Sequence, residues 1–281
     1  MMGRSLKLVI YYFGYQILCS MLISVPVTIS VFTSGITAPD ELAYEIGRAT
    51  SSYTGVTMLL AGALMTWHLL HFKYLSFNRS SWSEVPVRTL LLSIPLLVGA
   101  STASNILVEL LHLPNPSQDL FIALSRTVSG FLSIAVMAPI IEEFLFRGAI
   151  EGHLLRQGKS PRNAILLSAL IFGIIHFNPV QIPFAFCLGL VFGWLYYRTG
   201  SVVPGILGHF LNNSFAAASM AFLPEEEAKK TLVESLGTTP TYLLFALSVA
   251  VTGGMLIYLN KQLPHPAPVV PEEENPFAGV E

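Results

Sequence analysis

Three charged residues stand where the chain is otherwise apolar. Glu142 and Glu143 end the run "GFLSIAVMAPII", and Arg147 follows four residues after the second glutamate. Residues four apart lie on one face of a helix, one turn apart, so Glu143 and Arg147 have the spacing of an intrahelical ion pair. Adjacent Glu142 and Glu143 cannot point the same way, because one residue turns a helix by about 100°. One carboxylate can pair with the arginine while the other stays chemically free.

Two further apolar segments carry partners for such a carboxylate. Phe172 and His176 share a face in "FGIIH", and His209 and Asn213 share one in "HFLNN", with Asn212 beside them. A carboxylate taken out of bulk water suits a general base that accepts a proton from water, with a histidine to hold that water. A second histidine and an amide can donate hydrogen bonds to the oxyanion formed when a carbonyl is attacked. Those are the parts of an amide hydrolase that uses water rather than a covalent nucleophile. A Gly-x-Ser-x-Gly elbow is missing, and Cys19 and Cys187 lie in apolar segments without an obvious base. One Glu and two His, here Glu142, His176 and His209, also match a catalytic zinc site whose open position is filled by water. The H-E-x-x-H helix of common zinc proteases is absent. Spacing alone leaves Zn2+ and metal-free versions both open.

The elements that must position these residues are membrane spans. The 281 residues are 53% hydrophobic and 11% charged, with mean hydropathy +0.62. A soluble domain carries about 25% charged residues, so this composition describes an integral membrane protein. The net charge of -2 and the lack of a basic cluster give no nucleic-acid footprint. A ruler of about 20 apolar residues predicts eight spans, at 8–32, 53–75, 86–108, 121–146, 163–179, 182–198, 202–222 and 240–260. The fold class expected is an all-α polytopic transmembrane bundle. The fourth span is expected to continue past Arg147 as an amphipathic stretch ending at Arg156, with a bend near Gly148 or Gly152 to match Glu142 and His176 in depth.

The loops that alternate with these spans place most Lys and Arg on the side of the N-terminus, among them Arg4, Lys7, Lys73, Arg79, Arg88, Lys159, Arg162 and Arg198. By the positive-inside rule that side is the cytosol, and an even span count puts both termini there. The basic then apolar N-terminus reads as an uncleaved first span. The tail "LPHPAPVVPEEENPFAGVE" reads as a disordered acidic cytosolic extension. His68 and His71 read as interfacial side chains beside Lys73. Three regions follow: spans one to three over 1–120, a polar-residue-bearing core over 121–222, and a last span with its tail over 223–281.

A charged group at mid-membrane costs about 2.5–3.5 kcal/mol even on lenient insertion scales. A bundle that gathers several of them across three spans is therefore expected to use them. The polar set, "EEFLFR", "FGIIH" and "HFLNN" in that order, resembles the E-E-x-x-x-R, F-x-x-x-H and H-x-x-x-N motifs of the CPBP family of intramembrane proteases. That family holds the type II CAAX prenyl endopeptidases and bacteriocin-processing relatives, and the likeness covers about Phe121 to Ala221. The resemblance implies that Glu142 and His176 activate the attacking water, that His209 and Asn213 stabilise the oxyanion, and that Glu143 and Arg147 brace the site with Phe172 lining it. It implies an eight-helix core with a cavity open to cytosol and bilayer, and a membrane protein or lipidated peptide as substrate. A bacterial inner membrane is the expected location. A non-catalytic membrane scaffold and a proton-coupled transporter are the readings from other classes. The lack of internal repeats in the sequence weighs against the transporter.

Overall fold

The computed structural model describes residues 2–75 and 84–263, so Arg79 and the tail from Pro264 onward lie outside the described residues. Among them the regular structure is entirely helical: α1 (Met2–Phe32), α2 (Pro39–His71), α3 (Val87–Glu109), α4 (Gln118–Ser125), α5 (Val128–Arg156), α6 (Pro161–Ile174), α7 (Gln181–Thr199) and α8 (Val203–Phe222). Two short helices, α9 (Glu225–Ala228) and α10 (Leu232–Leu236), lead into α11 (Thr238–Gln262).

Each of the eight expected spans corresponds to a helix, and six are long and apolar enough to cross a membrane. The exceptions are α6, with 14 residues, and α8, where His209, Asn212 and Asn213 dilute the apolar sequence. Both carry expected site residues. Other boundaries moved for local reasons. Helix α2 begins at Pro39, a residue suited to a first helical position, and Asp40 and Glu41 fill its first turn. The charges between 40 and 48 had hidden that start. The fourth span is interrupted because Thr127 leaves the helix after Arg126 and caps a new one, its side chain accepting from the Gly130 N–H.

Helix α5 is the centre of the fold. Every residue from Ile141 to Leu155 is buried, as expected of a helix surrounded on all sides. Its core residues Leu145, Phe146, Ile150 and Leu154 pack with Met65 and Leu69 of α2, Phe172 of α6 and Tyr196 of α7. The expected continuation past Arg147 to Arg156 is present. The helix carries two π-helical stretches, Ser133–Met137 and Phe144–Glu151, and Gly148, one of the two places where a bend is expected, lies within the second. Glu142 lies 14 residues before Arg156, and His176 lies 15 after Pro161, just past the end of α6, with the short turn 157–160 between the two helices. The two are thus nearly equally far along the chain from that turn.

The flanking helices are more exposed. Helix α1 packs along α2, and α11 along α3. Arg198, at the end of α7, donates from Nη2 to the carbonyls of Asn260 (2.9 Å) and Leu263 (2.8 Å), and from Nη1 to the Asn260 side chain. A residue that the sequence placed among cytosolic charges thus satisfies carbonyls left unpaired at the end of α11. His71 is exposed and stacks on Trp67. His68 is buried, with the Tyr15 hydroxyl 2.9 Å from its Nδ1, among Tyr11, Phe72 and Tyr74. Arg198→Ala is expected to loosen the end of α11, seen as faster hydrogen exchange over residues 258–263, while exchange in α5 stays unchanged.

Candidate active site

The chain places four of its polar residues at the middle of α5 and α8. Glu143 and Arg147 are both fully buried, and Arg147 Nη1 donates to Glu143 Oε1 at 2.8 Å. The guanidinium also donates from Nη2 to the Gly189 carbonyl of α7 at 3.1 Å. Its plane lies over the rings of Phe172, 4.4 Å from the centroid, and Phe192, 5.3 Å away, where a ring face attracts a cation. One carboxylate, one carbonyl and two aromatic faces from three helices thus neutralise and hold the buried arginine.

Glu142 points elsewhere. It keeps 7% of its surface exposed, the most of the three residues, and makes no ion pair with the arginine among the described residues. His209 lies between the two glutamates, its Nε2 3.7 Å from Glu142 Oε2 and its Nδ1 3.4 Å from Glu143 Oε1. The ring stacks on Phe192 at 5.4 Å and meets the edge of Phe172 at 5.6 Å. His176 sits on the other contact of Phe172, 5.1 Å away and perpendicular. Its Nδ1 is 2.7 Å from the Phe172 carbonyl. A carbonyl only accepts, so Nδ1 carries the proton and Nε2 is left as the acceptor.

Asn213 is held by a consequence of the π-helix. In the stretch Ser133–Met137 the Ala138 N–H bonds back five residues to Ser133. The next donor in that register is Pro139, which has no N–H, so the Ile134 carbonyl is orphaned. Asn213 Nδ2 fills the vacancy at 3.0 Å. Its Oδ1 accepts from Asn212, whose own Oδ1 accepts from Ser101 at 2.6 Å. The amide is oriented by these bonds, with one N–H of Nδ2 still to give.

The structure therefore brings together Glu142, Glu143, Arg147, Phe172 and His209, with His176 against the Phe172 ring and Asn213 one turn beyond His209. Glu142, His176 and His209 do not converge as zinc ligands. His209 turns its two nitrogens to different carboxylates, and among the described residues no three His, Cys, Asp or Glu side chains group to hold a metal.

Sequence reasoning missed three participants. Phe192 carries no motif signal. Tyr12, on α1, donates to Glu142 Oε1 at 3.5 Å. Glu151 lies four residues after Arg147, is fully buried, and has no hydrogen bond to either carboxyl oxygen among the described residues. Its signal was in the sequence, since "EFLFRGAIE" repeats the four-residue spacing on both sides of the arginine.

The molecule defined so far is a helical membrane protein with a carboxylate pair, an arginine and a histidine buried within it. Residues 123–215 match the sequence model of the family described as type II CAAX prenyl endopeptidase Rce1-like. That stretch holds all seven residues on which the resemblance rests, and over it the chain is similar to membrane proteases. The chain is 29% identical over 123 residues to the membrane-embedded CAAX protease MroQ of Staphylococcus aureus (strain USA300), covering 42% of this chain and 50% of that protein. It is 33% identical over 81 residues to the putative membrane peptidase YdiL of Bacillus subtilis (strain 168), covering 29% of this chain and 33% of that one. The matched part thus spans half or less of each relative. No solved structure matches the chain.

One close approach tests the geometry without changing a polar residue. A Cβ added at Gly205 of α8 would lie 2.3 Å from Glu143 Oε2 and 3.0 Å from its Cδ. Gly205→Ala is expected to push Glu143 off Arg147 and to cost roughly 1–3 kcal/mol, the range for overpacking a core, read as a fall in thermal unfolding temperature in detergent.

Proposed function

We propose that the protein is an intramembrane endopeptidase of CAAX or peptide-processing type, acting on a membrane protein or lipidated peptide at a bacterial plasma membrane, with both termini in the cytosol. The observation that carries this reading is the unequal use of the two adjacent glutamates. Glu143 is committed to Arg147, while Glu142 reaches an accessible edge with His209 at one oxygen.

In this reading Glu142 takes a proton from a water held by Nε2 of His176, and the hydroxide attacks the scissile carbonyl carbon. The oxyanion accepts hydrogen bonds from His209 and from the remaining N–H of Asn213. The tetrahedral intermediate then collapses, the C–N bond breaks, and Glu142 returns its proton to the leaving amine. Arg147 and Glu143 stay out of the proton transfers and hold His209 and α5 in place. Phe172 touches both histidines and covers the arginine.

General base catalysis contributes about 10²–10⁴-fold, so Glu142→Gln and His176→Ala are expected to lose that much or more while the proteins stay folded. The test compares protein and peptide termini, by mass spectrometry, in native membranes from cells carrying the chain or its Glu142→Gln variant. Termini present only with the unaltered chain support proteolysis and give the bond cut, and a three-residue trim after a lipidated Cys defines CAAX processing. Identical termini in both would overturn the reading in favour of a scaffold.

A further inference from the structure

Helix α1 lies outside the family match and packs mainly along α2. It nevertheless delivers a hydroxyl to Glu142. Tyr12 Oη donates to Oε1 at 3.5 Å, the oxygen opposite the one that faces His209. A phenol has one proton to give, and a carboxylate oxygen accepts, so that proton is the one directed to Glu142.

A carboxylate held at one oxygen still turns about its last side-chain torsion, which is broad and roughly two-fold. A donor at the second oxygen fixes the plane and so the direction of the lone pairs that meet water. The Tyr12 ring is placed for this by its neighbours. It meets Phe13 edge-on at 5.6 Å, and Phe13 packs at 5.5 Å on Phe177, which follows His176 in the chain. At 3.5 Å the contact is at the long end for an O–H···O bond.

We propose that Tyr12 is a positioning residue of the active site, which orients the Glu142 carboxylate from a helix outside the family core. This rests on the proteolytic reading of that site. Glu142 then presents its basic lone pair to water in one orientation, set by His209 on one side and Tyr12 on the other.

The test uses the full chain. Tyr12→Phe keeps the ring and its packing and removes only the hydroxyl. Product termini in native membranes are expected to accumulate roughly tenfold more slowly than with the unaltered chain, the scale of one lost hydrogen bond to a charged group. A second readout is indifferent to overall stability. With 3-fluorotyrosine placed at position 12, Glu142→Gln is expected to shift the fluorine resonance of the detergent-solubilised protein, whereas Glu109→Gln, at the end of α3, leaves it in place. An inactive Glu142→Gln beside an undiminished Tyr12→Phe, or a resonance that ignores Glu142→Gln, overturns the role of Tyr12 alone. Full cleavage by Glu142→Gln overturns the proteolytic reading and the role of Tyr12 together.

Discussion

An arginine with no exposed surface in the middle of a membrane bundle must be neutralised and hydrogen-bonded where it sits. Breaking such a buried pair by removing one partner costs about 3–5 kcal/mol, because the other charge is left uncompensated. Around Arg147 that demand is met by Glu143 from its own helix, by the Gly189 carbonyl from α7, and by the faces of Phe172 and Phe192. Much else follows from it. Helix α5 must be enclosed on all sides, α7 must bring a carbonyl close, and α8 must present a residue without a side chain at 205, where Glu143 needs the room.

The same anchoring divides the two glutamates. With Glu143 fixed by the arginine, the helical turn swings Glu142 away from it toward His209 and α1. The π-helical stretches on either side of Ala138–Glu143 set the phase of this display. Such stretches are rare and occur often at functional sites. Here the first also has a direct chemical consequence. Pro139 cannot supply the next donor in the π register, the Ile134 carbonyl is left without one, and Asn213 is drawn to it and oriented by it. A backbone irregularity in α5 thus aims an amide on α8.

Local spacing made part of this arrangement legible in the sequence. The four-residue step from Glu143 to Arg147 was enough to expect the ion pair, and apolar run length was enough to expect the eight helices. The interruption at Thr127 was harder, because a cap within an apolar run leaves the composition unchanged. The π register was not legible at all, since it depends on how α2, α6 and α8 crowd α5 rather than on side-chain periodicity. The burial of His68 was not legible either, since it is decided by Tyr15 on another helix. Glu151 escaped notice although its spacing to Arg147 mirrors that of Glu143. Tyr12 was beyond reach for a related reason: which residue of α1 meets Glu142 is set by the relative height of two helices 130 residues apart in the chain.

In the proposed reaction two adjacent carboxylates do different work, one holding the fold and the other the reacting proton. The most direct measurement is a side-by-side comparison of Glu142→Gln and Glu143→Gln, following thermal unfolding in detergent and product termini in membranes for each. The account predicts that Glu142→Gln melts like the unaltered chain and cuts nothing, and that Glu143→Gln melts far lower because Arg147 is left buried without a counter-charge. The reverse pattern, with Glu143→Gln stable and Glu142→Gln unfolded or still cutting, would contradict it.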